Sequence, residues 1–422
     1  MGGADCLRML RQNALLFFGM CLMVGMGGAV FLAGLDFVTR LRYAHGWVVW
    51  LLPFGGIMTV WIYQRWGRDA GRGTDRILEW IREPEKLGAF GRMGGMIVGG
   101  TWLTHLLGGS AGREGTALQM GGGFAAALAL RAGLSGDQAR IFVMSGLAAG
   151  FGAVFGTPLA GAVFAVEVVK CGAVWRRPAL LGTVLVAAVC ADGVCRVLGV
   201  EHGVPVLAES AGLFSGESLG LGALMRRCMG LGVAAACFGM FARAYVALHG
   251  KACGFWARWG QPAGLRAAAG GVAVLGVTLL LGTRDYLGLG VWAPGPGPVV
   301  LGSFFGTEPV PVWAWFWKML LTVLTVSSGF KGGEVTPLFY MGASLGNALS
   351  RVPGWVAAEG SLLAAAGMVA VFAGASKAPL ACAVLGGELF GWQHVPVFLV
   401  TCWIADRVSG NRGLYGARNP AA

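Results

Sequence analysis

Two ten-residue segments of this chain are near copies of each other. Residues 158–167 read PLAGAVFAVE and residues 379–388 read PLACAVLGGE, each beginning Pro-Leu-Ala and ending in Glu. Upstream, Glu114-Gly115-Thr116 is echoed by Glu334-Val335-Thr336, which lie 44 and 45 residues before the respective prolines. Two motifs at matched spacing, displaced by about 220 residues, mean a chain built from two equivalent halves. Repeats of this kind place a shared site at the interface between the halves. The spacing leaves open whether the halves are parallel or inverted.

The solvent of those halves follows from charge. Of 422 residues, 12% are charged and 56% hydrophobic, against about 25% charged in soluble domains. A cytosolic enzyme, a disordered chain and a small disulfide scaffold are thereby excluded, and an all-α polytopic membrane protein is expected. Apolar segments fall at about 14–38, 46–63, 94–109, 116–132, 141–155, 158–175 and 178–199, then at about 221–248, 266–282, 312–327, 337–349, 362–374, 379–390 and 392–405. The first is too long for a signal peptide and reads as a span. Several are shorter than the roughly 20 residues that cross a bilayer. With 74 glycines in the chain, they read as short, broken helices around a site at mid-membrane. The expected organisation is a first membrane half over 1–200, a polar connector over 201–219 and a second half over 220–422 that ends in a pore helix, with no soluble regulatory domain.

The formal net charge of +12 fits basic cytoplasmic loops better than nucleic-acid binding. Arg65, Arg68, Arg72 and Arg76 follow one span, and Arg176 and Arg177 another. The ten cysteines lie mostly in apolar runs and form no CxxC pair, so neither a metal nor a cofactor is expected. Lys318 and Lys377 read as snorkelling side chains or as partners of an anion or of Glu334. Glu167 and Glu388, at matching positions in the two halves, read as helix-end or interface salt bridges.

The chemistry concentrates in two glycine-rich loops. Gly112-Arg113-Glu114-Gly115-Thr116 opens a helix expected to start near Thr116. A helix N-terminus offers unpaired N–H groups and the positive end of the dipole, which suits an anion. Glu114 is the resident anion in this reading, displaceable by a permeant one, and an intramembrane carboxylate is a functional candidate by default. Its alternative role is a structural pair with Arg113. The matching loop, Gly329 to Pro337, offers the N–H groups of Gly333, Glu334 and Val335 and the hydroxyl of Thr336, which also suits a helix cap. A second acid, Glu334, at an anion site makes sense if it carries a proton for part of a cycle.

GREGT, GFGAVFGTPLAGAVFAVE, GGEVTP and GMVAVFAGASKAPLA, in that order over nearly the whole chain, resemble the CLC family of anion transporters and channels. The resemblance implies a homodimer of two independent pores, each an inverted repeat of broken and tilted transmembrane helices. It implies that Glu114 is the gating glutamate, that Gly332 to Pro337 form the second anion-binding loop, and that Tyr415 binds the central anion. Thr116 stands where most members have Pro. Gly71-Arg72-Gly73-Thr74-Asp75 lacks the serine that faces chloride, so Arg72 or Thr74 replaces it. Val168 stands where chloride–proton exchangers carry an internal glutamate. GREGT with GGEVTP resembles the bacterial fluoride branch. The implied function is fluoride–proton antiport in the bacterial inner membrane, with Glu114 and Glu334 gating and moving protons. Gly112, Arg113, Gly115 and Thr74 join the anion contacts named above.

Two alternatives lie close: a passive anion channel, which Val168 suits, and a chloride–proton antiporter. A third is of another class. Gly108-Gly109-Ser110-Ala111-Gly112 has the letters of a G-x-S-x-G serine nucleophile. It needs a histidine base, and His105 is the nearest of His45, His105, His202, His249 and His394 in sequence.

Overall fold

Each of the apolar segments is helical over most of its described residues. The computed structural model describes residues 3–67, 70–71, 73–84, 92–169, 178–203, 207, 221–306, 308–352 and 360–415. The first half contains α1 (Gly3–Ala44), α2 (Leu52–Ile62), α3 (Thr74–Arg82), α4 (Met93–Leu106), α5 (Glu114–Arg131), α6 (Gly136–Phe155), α7 (Pro158–Val168) and α8 (Pro178–Val197). The second contains α9 (Leu221–Arg258), α10 (Ala263–Leu281), α11 (Ala314–Ser328), α12 (Val335–Ser350), α13 (Gly360–Ser376), α14 (Pro379–Phe390) and α15 (Val395–Val408). Among the described residues, six helices are long and apolar enough to cross a membrane, and α7, α13 and α14 are shorter apolar helices. Most of the connector falls outside the described residues, as do Arg68, Arg72, Arg176 and Arg177.

Helix α3 has no counterpart among the apolar segments. Four of its nine residues are charged, so hydropathy misses it. Ile77, Leu78, Trp80 and Ile81 nonetheless form one buried face, the stripe expected of an amphipathic helix.

Helices α6 and α13 are the buried centres of the two halves. Corresponding glycines admit their neighbours. A Cβ on Gly121 of α5 would lie 2.1 Å from the carbonyl oxygen of Gly146 in α6, and one on Gly342 of α12 would lie 2.2 Å from that of Gly367 in α13. Small residues let helix backbones approach this closely where no water drives them together. Large apolar side chains such as Phe18, Phe37, Val189, Leu280 and Trp403 face outward on the periphery, as a lipid solvent allows.

The repeat is also visible where helices start and stop. Both α7 and α14 begin with proline, a favoured first position whose missing N–H removes one orphan donor. The next two N–H groups of each helix are capped by the other half. Glu167 accepts from Leu380 N–H at 3.1 Å and Ala381 N–H at 2.8 Å. Glu388 accepts from Leu159 N–H at 3.0 Å and Ala160 N–H at 2.7 Å. In place of the expected salt bridges, these two acids therefore make backbone helix caps that cross reciprocally between the halves. Such mutual exchange is the mark of a two-fold relation.

Just before those prolines the two halves share a left-handed residue. Gly156 has φ 70°, and Lys377, at the matching position, has φ 62°. A side chain resists this conformation. Lys377 is held there by its ammonium, which donates to the backbone oxygen of Asp406 at 2.9 Å, to Asp406 Oδ1 at 3.2 Å and to Ser409 Oγ at 2.5 Å. It is thus an anchor to the end of α15. Lys318 also departs from its expected role. Its side chain is fully buried and does not snorkel. It donates to the carbonyls of Gly288 at 2.7 Å and Tyr286 at 3.2 Å, and its ammonium lies 5.4 Å from the Tyr340 ring centre.

Candidate functional site

The two glycine-rich loops meet. Gly112 N–H donates to Gly333 O at 2.5 Å, and Gly333 N–H donates to Gly112 O at 2.7 Å, an antiparallel bridge between the halves. Equivalent segments that pair about a two-fold axis must run antiparallel, so the bridge repeats the symmetry of the crossed caps. The contact leaves no space for side chains. A Cβ on Gly333 would lie 2.5 Å from Gly115 N, and one on Gly115 would lie 2.9 Å from Gly333 Cα. This pairing corrects two expectations. The N–H groups of Gly112 and Gly333, both read as anion donors, are spent on each other's carbonyls, because a buried backbone donor takes the nearest acceptor.

Helix α5 starts at Glu114 itself, two residues before the expected Thr116. The Glu114 carboxylate is buried and reaches across to the other half. Its Oε2 accepts from Thr336 N–H at 2.9 Å, from the Thr336 hydroxyl and from Arg113 N–H at 3.1 Å. Arg113 Nε lies 3.4 Å from Oε1, so the pair with Arg113 exists beside the helix-end contacts. The Glu114 carboxyl therefore sits on the first turn of α12, whose own N-cap residue, Glu334, makes no side-chain cap bond. Thr336 lies inside the helix and is a donor to the carboxylate instead of the cap. Val335 is the first residue of α12 and fully buried. On the far side, Thr116 and Thr101 share a hydroxyl hydrogen bond of 2.6 Å.

A cavity of about 270 Å³ opens beside this contact. Thr74, Gly115, Gln119, Lys331, Glu334 and Tyr415 line it, together with Asp75, His249 and Cys253. Gln119 Nε2 donates to Thr74 Oγ1 at 3.3 Å. Of the two candidates for the missing serine, Thr74 lines the cavity and Arg72 lies outside the described residues. Tyr415 packs edge-on against Phe164 of α7, with ring centres 5.9 Å apart, and is reached on irregular backbone after α15. The pore helix expected at the C-terminal end falls outside the described residues.

Glu334 turns away from its own helix towards α9. Tyr245 OH donates to its Oε1 at 2.8 Å, and His249 Nε2 lies 3.6 Å from the same atom. Neither residue stands out in the sequence as a partner for Glu334. Their four-residue spacing inside an apolar helix, continued by Cys253, is the signal that marks them.

The serine-nucleophile reading finds no base. Ser110 Oγ pairs with Thr322 Oγ1 at 3.0 Å, and both ring nitrogens of His105 face carbonyls, of Thr101 at 2.8 Å and Ala111 at 3.0 Å. Among the described residues, no group of three or more His, Cys, Asp and Glu side chains is placed to hold a metal ion.

Comparison with known proteins agrees with this geometry. A chloride/fluoride channel protein of Pseudomonas syringae pv. tomato is 38% identical over 403 residues, 94% of this chain and 84% of that one. The crystal structure of a CLC-type fluoride/proton antiporter superposes with a TM-score of 0.86 at 32% identity, covering 97% of this chain and 98% of that one. A slow cyanobacterial Cl⁻/H⁺ antiporter shares the fold at a TM-score of 0.78 and 20% identity, over 94% and 93% of the two chains. Residues 55–410 match the family described as voltage gated chloride channel. The chain belongs to that family, the CLC anion transporters and channels, and has its inverted repeat of broken helices.

Proposed function

We propose that this CLC protein exchanges fluoride for protons, as a homodimer in the bacterial inner membrane, and so exports fluoride. The observation that carries the reading is the seat of Glu114. A carboxylate from one half occupies the helix end of the other, on an N–H and a hydroxyl of one residue, Thr336. An anion that displaces it inherits those donors. Fluoride is small and holds its water strongly, so it needs strong donors of this kind. Thr74 and Tyr415, on the cavity wall, extend the path, and Glu334 carries the coupled proton. The likeness to the fluoride/proton antiporter, at 32% identity over almost the full length of both chains, supports the choice of fluoride.

A passive channel is the second reading. Val168 favours it, since this buried residue of α7 brings no carboxylate. Purified protein in liposomes loaded with fluoride or chloride separates the two when anion efflux and external pH are followed together. The antiport reading expects fluoride efflux with protons moving inward against it and little chloride movement. Rapid efflux without proton movement makes the protein a channel.

A further inference from the structure

Tyr245, His249 and Cys253 follow at four-residue intervals on α9 and so lie along one side of the helix. Tyr245 is fully buried and holds Glu334 Oε1 from the protein side. His249 stands on the cavity side. Its ring is parallel to that of Tyr245, with centres 6.4 Å apart and planes 6° apart. Its Nε2 lies 3.6 Å from Glu334 Oε1 and 3.6 Å from Cys253 Sγ. About one-fifth of the imidazole remains accessible, and it lines the 270 Å³ cavity with Glu334. The ionisable groups around it are Tyr245 and Cys253 on its own helix, Lys331 and Glu334 on the facing loop, Asp75 at the start of α3, and Tyr415.

We propose that His249 is the proton-relay residue of this cavity, taking protons from cavity water and passing them to Glu334. In the transfer the Nε2–H bond of the imidazolium breaks and an O–H bond forms on Glu334 Oε1. The neutral imidazole then takes its next proton from water, and the return transfer runs the steps backwards. An imidazolium–carboxylate pair becomes a neutral pair, so no net charge is left in the apolar wall. Imidazole gains and loses protons near neutral pH, which a tyrosine hydroxyl does not. A small side-chain rotation brings the 3.6 Å separation into hydrogen-bond range, as acid–base pairs tighten in use.

The inference rests on the proton role of Glu334, so the test carries both residues. Coupled fluoride–proton exchange is measured in liposomes for wild type, H249Q, H249A and E334Q, over a range of cavity-side pH, with and without added imidazole. H249Q is expected to slow coupled exchange about a hundredfold, the low end for loss of a positioned acid–base group. H249A is expected to slow similarly and to recover with imidazole, which fits a cavity of this size. Wild-type rate and pH profile in H249Q overturn the relay. Slow H249A that imidazole does not rescue, with an unchanged pH profile, also overturns it and leaves His249 a packing role. Coupled exchange that persists in E334Q removes the reading on which the relay rests, whatever His249 does.

Discussion

Glu114 is held by Thr336, 222 positions away in the other half, through both the backbone N–H and the hydroxyl of that residue. The carboxylate and its seat therefore come from different halves. Removing the hydroxyl with Thr336→Val leaves only the N–H contacts. A hydrogen bond to a charged group contributes about 1.5–3 kcal/mol, so Glu114 should leave its seat more readily by about 10- to 150-fold. Glu114→Ala should go further and give anion flux with no proton movement. Parallel anion and pH recordings in liposomes check both, and a Thr336→Val protein with unchanged rate and coupling would refute the seat.

The Gly115–Gly333 contact sets a packing test. A methyl at Gly333 would lie 2.5 Å from backbone nitrogen, which no side-chain movement relieves. Gly333→Ala should cost about 1–3 kcal/mol, as overpacking does, and should part the bridge with Gly112. Gly71→Ala, where no atom lies within 4 Å of the added carbon, is the matched control. Thermal unfolding in detergent should separate the two variants clearly.

Lys318 donates to two loop carbonyls from a fully buried position. Lys318→Met preserves most of the volume and strands those acceptors. A buried polar group left unpaired costs about 1–3 kcal/mol. The variant should unfold at a lower temperature, and equal stability to wild type would show that the carbonyls find other donors.

The left-handed Lys377 gives an ordering. Lys377→Ala loses the bonds to Asp406 and Ser409 and keeps the backbone strain. Lys377→Gly loses the same bonds and relieves the strain, worth about 1–2 kcal/mol. The glycine variant should therefore be the more stable of the two in a melting series.

The chain displays its helices because lipid-facing and core-facing surfaces are both apolar, and hydropathy reads either. Helix α3 escapes that reading because only one side is buried. The loops that carry Glu114 and Glu334 were legible through the repeat, but their pairing was not. The Gly112–Gly333 bridge uses backbone alone, which leaves no side-chain signature. The crossed caps are an intermediate case: Glu167 and Glu388 stand at matching positions, yet position does not say which helix each reaches. Lys377 shows the converse. Its repeat partner, Gly156, carries the ordinary mark of a left-handed residue, and comparison of the two halves would have transferred it. Lys318 carries no distinguishing mark, because a snorkelling lysine and one that binds buried carbonyls look alike in an apolar run.

The crossed caps also set an order of manufacture. Leu159 N–H waits for a carboxylate encoded 229 residues later, at Glu388. At roughly 5–20 residues per second, that interval is about 10–45 seconds of synthesis. Throughout it, the N–H groups of Leu159 and Ala160 lack the acceptor they have in the finished fold. The half reaches its final form only when its twin arrives, so the ribosome delivers the two as one unfinished object.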